Sequence, residues 1–325
     1  MKLFDKKSCF TVLASVLMAG ATLPSAASAN DNDSGADNAP FAMRGQQTES
    51  MNKERVLQLS KTMLLASVDV ESLGGYFAQN LIQHDPLVAD GRRAMLNSIQ
   101  ALRAQLPART LTVKHILAER DLVFVQSHVS DTPANELTGT KRYDTYRLDH
   151  GVIVEHWMVQ SRVSSRPVSG NSAFSDLYKY PVPPVANSPQ RVELNRALVR
   201  ALSEEVFGHR NFGLLDRMWA TGYLQHNPGV GNGRAALAAV IDYIAPVGGQ
   251  YRVTSTIADG DLVMVCAQIQ DPGYTPNEFA GYEVCDMYRV VNFELVEHWD
   301  VAQAVPPTSA SGNSMFSSLY RGHRQ

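Results

Sequence analysis

The chain lacks most of the features that mark the large function classes. It has three cysteines in 325 residues, too few for a disulfide scaffold, and no Cys-X-X-Cys pair. It has no glycine-rich phosphate loop and no serine-centred nucleophile elbow. Basic residues are outnumbered, 29 Lys and Arg against 32 Asp and Glu, so there is no electrostatic footprint for nucleic acid. After the N-terminal segment no apolar run approaches the roughly 18 residues that a membrane span needs. What is left, 44% hydrophobic and 19% charged, is a globular composition long enough for two ordinary domains.

Residues 1–29 have the layout of a cleaved signal peptide. Lys2, Lys6 and Lys7 give a basic start, Cys9 to Leu23 an apolar stretch, and Ala27-Ser28-Ala29 a small-x-small cleavage site. The mature protein is therefore expected in the periplasm or outside the cell, free of the membrane. Residues 30–49 are polar, lack apolar periodicity and read as a disordered leader. Cleavage leaves Cys266 and Cys285, both in expected strands. Export permits a disulfide, but two buried free thiols are the expectation here.

The dominant signal is a duplication. Gln83-His84-Asp85-Pro86 returns as Gln225-His226-Asn227-Pro228, Val154-Glu155-His156-Trp157 as Val296-Glu297-His298-Trp299, and Ser169-Gly170-Asn171-Ser172 as Ser311-Gly312-Asn313-Ser314, each 142 positions on. One domain spans 50–178 and a second 190–325. Between them lies a proline-rich linker, 179–189, expected to be stiff and extended.

In each copy helical spacing comes first. Val56, Leu59 and Met63 are matched by Leu194, Leu198 and Leu202, then short helices are expected over 70–78 and 212–220, and further ones over 94–102 and 235–244. Four strand-like segments follow: 111–115, 122–129, 141–148 and 152–161 in the first copy, 251–257, 262–269, 282–291 and 295–303 in the second. Helices before an antiparallel meander make an α+β fold, with a curved sheet wrapped round its helices and enclosing a pocket.

Strand alternation puts His298 and Asp300 on one face, with Asp286 and Tyr288 two apart on the preceding strand. A three-residue hairpin loop at Asp149-His150-Gly151 sets Asp144 opposite His156, and the same register sets Asp286 opposite His298. A slip of one residue would send Asp286 to the other face. A carboxylate opposite an imidazole fixes its tautomer, and a second, enclosed carboxylate can exchange protons with a substrate. The same polar groups could instead simply satisfy one another. His84 and His226 each precede an X-Pro turn, as a pocket-rim contact or as the cap of a helix end. His84, His128 and His156 match no metal-ligand spacing, and the second copy has Gln268 in place of His128. No metal and no cofactor is expected.

With these motifs in view, each copy resembles the SnoaL-like polyketide cyclases of the nuclear-transport-factor-2-like superfamily. The resemblance rests on Tyr223-Leu224-Gln225-His226-Asn227-Pro228, Asp286-Met287-Tyr288-Arg289, Val296-Glu297-His298-Trp299-Asp300 and Gly312-Asn313. It implies a cone-shaped α+β barrel with a deep pocket, and domains that pair through their sheets, within one chain or between copies. It further implies acid–base chemistry beside a carbonyl (aldol cyclisation, isomerisation or a related lyase reaction) on a small hydrophobic or carbonyl-containing molecule. Asp300 would be the proton carrier, beside His298 aligned by Asp286, with Tyr223, His226, Tyr288, Gln268 and the apolar Trp219 and Met264 around the substrate. The first copy keeps His84, Asp144 and His156 but has Met158 where the second has Asp300, so it reads as a degenerate site. A non-catalytic pocket for a hydrophobic ligand, or an interaction scaffold, is the alternative.

Overall fold

The computed structural model describes residues 41–105, 108–181, 188–273 and 275–321. The expected signal peptide, the leader up to Pro40 and the linker centre (182–187) lie outside the described residues. The last part of the expected leader is helical instead. α1 runs Phe41–Thr62 and buries Val56 and Leu59 against the first sheet. In the second repeat α3 (Pro189–Ser203) starts at Ser188, whose hydroxyl accepts from the Arg191 amide, with Pro189 in the first turn where no donor is needed. No described helix is long and apolar enough to cross a membrane.

Each repeat folds as one five-stranded mixed sheet. The first contains β1 (Phe77–Gln83), β2 (Thr110–Glu119), β3 (Leu122–Ser130), β4 (Thr140–Asp149) and β5 (Val152–Arg162) in the order β1-β5-β4-β3-β2. The second contains β6 (Trp219–Gln225), β7 (Gln250–Asp259), β8 (Leu262–Gln270), β9 (Tyr282–Val291) and β10 (Glu294–Ala304) in the order β6-β10-β9-β8-β7. α2 (Arg92–Gln105) and α4 (Arg234–Ile244) cover the concave faces. The four-stranded antiparallel meanders agree with the sequence reading. The short helices expected over 70–78 and 212–220 do not hold to their ends, because the chain turns into β1 and β6, which pair in parallel with β5 and β10. Ladder hydrogen bonds to a neighbouring strand outweigh weak local helical spacing. His84 and His226 therefore follow strands, not helices.

The hairpin turns differ from expectation in a way that matters for the site. The loops are two residues long, His150-Gly151 and Asn292-Phe293, all at positive φ, and each is followed by a bulge in β5 or β10. Together these move the register by two positions: Asp144 faces Met158, Tyr146 faces His156, Asp286 faces Asp300 and Tyr288 faces His298. An even displacement leaves every side chain on its expected face. Phe293, at φ 65°, occupies the place of Gly151, and the left-handed region costs a residue with a Cβ about 1–2 kcal/mol. Phe293→Gly is expected to stabilise the protein by about 1 kcal/mol. Urea melts of the two forms would show it, and an unchanged or lowered midpoint would contradict it.

The convex faces of the two sheets pack on each other. Leu117, Phe124, Tyr143 and Val159 of the first meet Ile257, Met264, Met287, Trp299 and Val301 of the second in one buried cluster. The domains thus pair within the chain. Cys266 and Cys285 lie in this layer and form a disulfide, not the expected free thiols. The β8–β9 register sets them directly opposite each other, where paired side chains are in contact.

The C-terminal tails are exchanged. Residues of the first tail bind the second repeat: Asn171 donates to the Gln225 carbonyl, and the Leu177 and Tyr178 amides donate to Glu297. Residues of the second tail bind the first repeat: Asn313 donates to the Gln83 carbonyl, and the Leu319 and Tyr320 amides donate to Glu155. Trp157 and Trp299 donate from their indoles to the Ser317 and Ser175 carbonyls of the exchanged tails.

Candidate functional site

The concave side of the second sheet encloses a cavity of about 170 Å³. Asp286, His298 and Asp300 converge on it, with Tyr223, Tyr288 and Asn227 among the walls. Tyr288 lies beside the His298 ring, centroids 4.8 Å apart. The cavity is smaller than the roughly 300–1,000 Å³ of a drug-sized ligand pocket, which suits a compact molecule.

His298 is gripped from both sides. Its Nδ1 is 2.6 Å from Gln225 Oε1 and its Nε2 is 2.8 Å from Asp286 Oδ1. The Asn227 amide donates to the same Gln225 oxygen, so that oxygen is an acceptor and Nδ1 carries a hydrogen. Nε2 and Oδ1 are both acceptors unless a proton sits between them. A hydrogen bond at this distance therefore requires one proton between the two atoms. Burial pushes the Asp286 carboxyl above its ordinary value; His298 opposes this, and the nearby Asp300 charge adds to the rise. No donor among the described residues reaches Asp286 Oδ2.

Asp300 is tuned the other way. Lys141, from the first repeat, places Nζ 2.9 Å from Oδ1, and Asn227 donates to Oδ2. Burial alone would raise this carboxyl, but the Lys141 ammonium, His298 and these hydrogen bonds together hold it below the usual carboxylate range. Two adjacent carboxyls thus differ in proton affinity, an arrangement typical of acid–base sites.

The equivalent place in the first repeat carries different charges. His156 lies between Gln83 (2.8 Å) and Asp144 (2.8 Å), as in the other copy. Arg142 then clamps Asp144 through two 2.7 Å bonds, where the second copy has Val284. Burial is outweighed by this guanidinium and by His156, which bring the Asp144 carboxyl down to about 2. Met158 supplies no carboxylate opposite it.

Several expected substrate contacts lie elsewhere. His226 is on the convex side, stacked on Trp299, with Nδ1 on the Ser172 carbonyl and Nε2 on Glu297. His84 does the same with Trp157, Ser314 and Glu155. Both histidines hold the exchanged tails. Gln268 donates to the Asn277 and Ala280 carbonyls, on the same strand face as Met264, which packs between the sheets. Trp219 packs into the helix-side core. Strand alternation was the usable signal for Gln268 and Met264: Val263 and Val265 face the concave core, so their even-numbered neighbours cannot. Gln225 and Asn227 were visible in the repeated motif but carried no assigned role. Lys141 had no sequence signal, since it arrives from the other repeat.

A family model described as the SnoaL-like domain matches residues 62–156. No curated protein matches the chain. Among solved structures, a protein of unknown function and nuclear-transport-factor-2-like fold from Mesorhizobium loti is similar at 17% identity, over 36% of this chain and 97% of its own, with TM-score 0.31. A candidate SnoaL-like polyketide cyclase from Jannaschia is similar at 17% identity, over 39% of this chain and 92% of its own, with TM-score 0.31. An epoxide hydrolase from M. tuberculosis is similar at 16% identity, over 34% of this chain and 84% of its own, with TM-score 0.29. A SnoaL-like domain thus spans residues 62–156 of the first repeat, and the second repeat has the same strand order.

Proposed function

We propose that the second repeat is a cofactor-free acid–base enzyme acting next to the carbonyl of a small molecule, by isomerisation, aldol chemistry or a related lyase step. The observation that carries this reading is the Asp286–His298 dyad, one proton between two acceptors, set in a cavity beside an ionised Asp300. The proposed base is Asp286 and not Asp300. A base works best when its proton affinity approaches that of its surroundings, and Asp286 is raised while Asp300 is lowered. Asp286 Oδ2 would take the proton from the carbon beside the carbonyl. The electron pair would move into an enolate, and the same carboxyl would return the proton at a neighbouring atom. His298, with both ring nitrogens engaged, would balance the charge on Asp286 and not polarise the substrate oxygen directly. The cavity volume favours a compact substrate over a multi-ring one.

Thermal-shift screening against small ketones and aldehydes identifies binders, because ligands of the native state raise apparent stability. Exchange of their α-protons in D₂O, followed by NMR, then reads proton abstraction even where the complete reaction has further steps. Asp286→Asn is expected to slow that exchange about 10²–10⁴-fold while binding persists. Parental exchange in the variant would end this assignment. A purely ligand-binding pocket is the second reading, favoured by the closed Lys141–Asp300–Asn227 network. It predicts binding without exchange. The export expected from residues 1–29 stands as a proposal supported by the disulfide; N-terminal sequencing that fails to start at Asn30 would count against it.

A further inference from the structure

A second cavity, of about 440 Å³, lies on the convex side, between the two sheets. Its origin is visible in the duplication. Among the lining positions that carry a smaller residue than their counterparts 142 positions away are Cys266 against Phe124, Cys285 against Tyr143, and Thr145 against Met287. The side-chain volume missing at these positions opens the space. Unlike the first cavity, this one falls within the roughly 300–1,000 Å³ of ordinary ligand sites.

One carboxyl in its lining has no partner among the described residues. Glu283 lines the cavity, is 4% exposed, and makes no hydrogen bond or ion pair among the described residues. Its counterpart is Lys141, which finds Asp300. Where that pairing would find its mirror image, the first repeat offers Met158, also in the lining. Both members of the mirrored pair have changed, and a buried carboxyl is left facing apolar side chains. Burial drives it well above the ordinary carboxyl range. The arginines at the rim are already engaged: Arg147 with Asp121 and Glu155, Arg196 with Glu193 and Glu119, Arg200 with Glu204. The nearby sulfurs of Cys266 and Cys285 are joined to each other and are not free ligands.

A buried polar group without a partner is costly, and a native structure that keeps one calls for an explanation. We propose that the intersheet cavity is a second binding site, for an amphiphilic primary amine. Its apolar body would lie against Phe124, Tyr143, Val159, Met315 and Phe316, and its ammonium would pair with Glu283. This site is separate from the acid–base cavity and does not depend on the reaction assigned there.

Calorimetric titration of the full protein with 4-phenylbutylamine in mildly alkaline buffer tests it. The expected result is one saturable site, with 4-phenylbutanol and 4-phenylbutyrate each binding at least about tenfold more weakly, a difference of about 1.4 kcal/mol. Glu283→Gln, nearly isosteric and uncharged, should weaken the amine about tenfold or more and leave the alcohol unchanged. Thr145→Met, which restores the counterpart's larger side chain, should remove both. Circular dichroism confirms that each variant is folded. Absence of saturable amine binding, a preference for the butyrate, or an amine titration left unchanged by Glu283→Gln overturns the proposal.

Discussion

Replacing Lys141 by Met is expected to destabilise the protein by about 3–5 kcal/mol, although Lys141 lies in a different repeat from its partner Asp300. The Lys141–Asp300 pair is almost fully buried, with side-chain exposures of 5% and 8%. Removing the ammonium leaves a carboxylate in a low-dielectric site with only Asn227 and His298 nearby to compensate it. Asp300 should then bind a proton more readily when folded than when unfolded. Stability gained from such a raised carboxyl is present at low pH and lost as pH rises through the folded value, so the deficit should shrink on acidification. The double variant Lys141→Met/Asp300→Met places an apolar pair there, echoing Met158 of the first copy. It should recover most of the loss, since well-packed apolar replacements of buried ion pairs are often neutral. Denaturant melts of the parent and both variants decide the matter. A single variant as stable as the parent would mean that Lys141 does not neutralise Asp300.

Removing the second tail, residues 309–325, should unfold the first repeat, not only the end from which it is cut. The tail supplies two backbone amides to Glu155, a carbonyl to His84 and one to Trp157. Met315 and Phe316 add buried apolar volume to the intersheet layer. The charge-assisted bonds to Glu155 are each worth about 1.5–3 kcal/mol, and losing a buried Met or Phe side chain costs about 2–5. Their combined loss exceeds about 5 kcal/mol, comparable to the whole stability of a marginal domain. Trp157 fluorescence and the unfolding midpoint would both change. A truncated chain that melts like the parent would show that the exchange contributes nothing to holding the two repeats together.

The meander strands and the faces they present were legible in the sequence because side chains alternate, and an alternation survives a register error of two. This is why Asp286, His298 and Asp300 reach one cavity even though the hairpin loops are shorter than the spacing suggested. Which of the two carboxyls is raised and which is lowered was not legible. It depends on whether a cation such as Lys141 lies next to a given carboxylate, and strand parity in one repeat says nothing about neighbours contributed by the other. The roles of His84 and His226 were misread for the same reason: their partners, Ser314 and Ser172, lie 230 and 54 positions away.

The sequence alone determined the duplication, the α+β meander and the polar face on which Met158 and Asp300 differ, because all three follow from local periodicity and a constant offset. The tertiary structure decided the parallel edge strands, the disulfide, the exchanged tails and the passage of Lys141 to Asp300. Each of these depends on contacts between segments far apart in the chain, where burial and charge, not local spacing, select the partner.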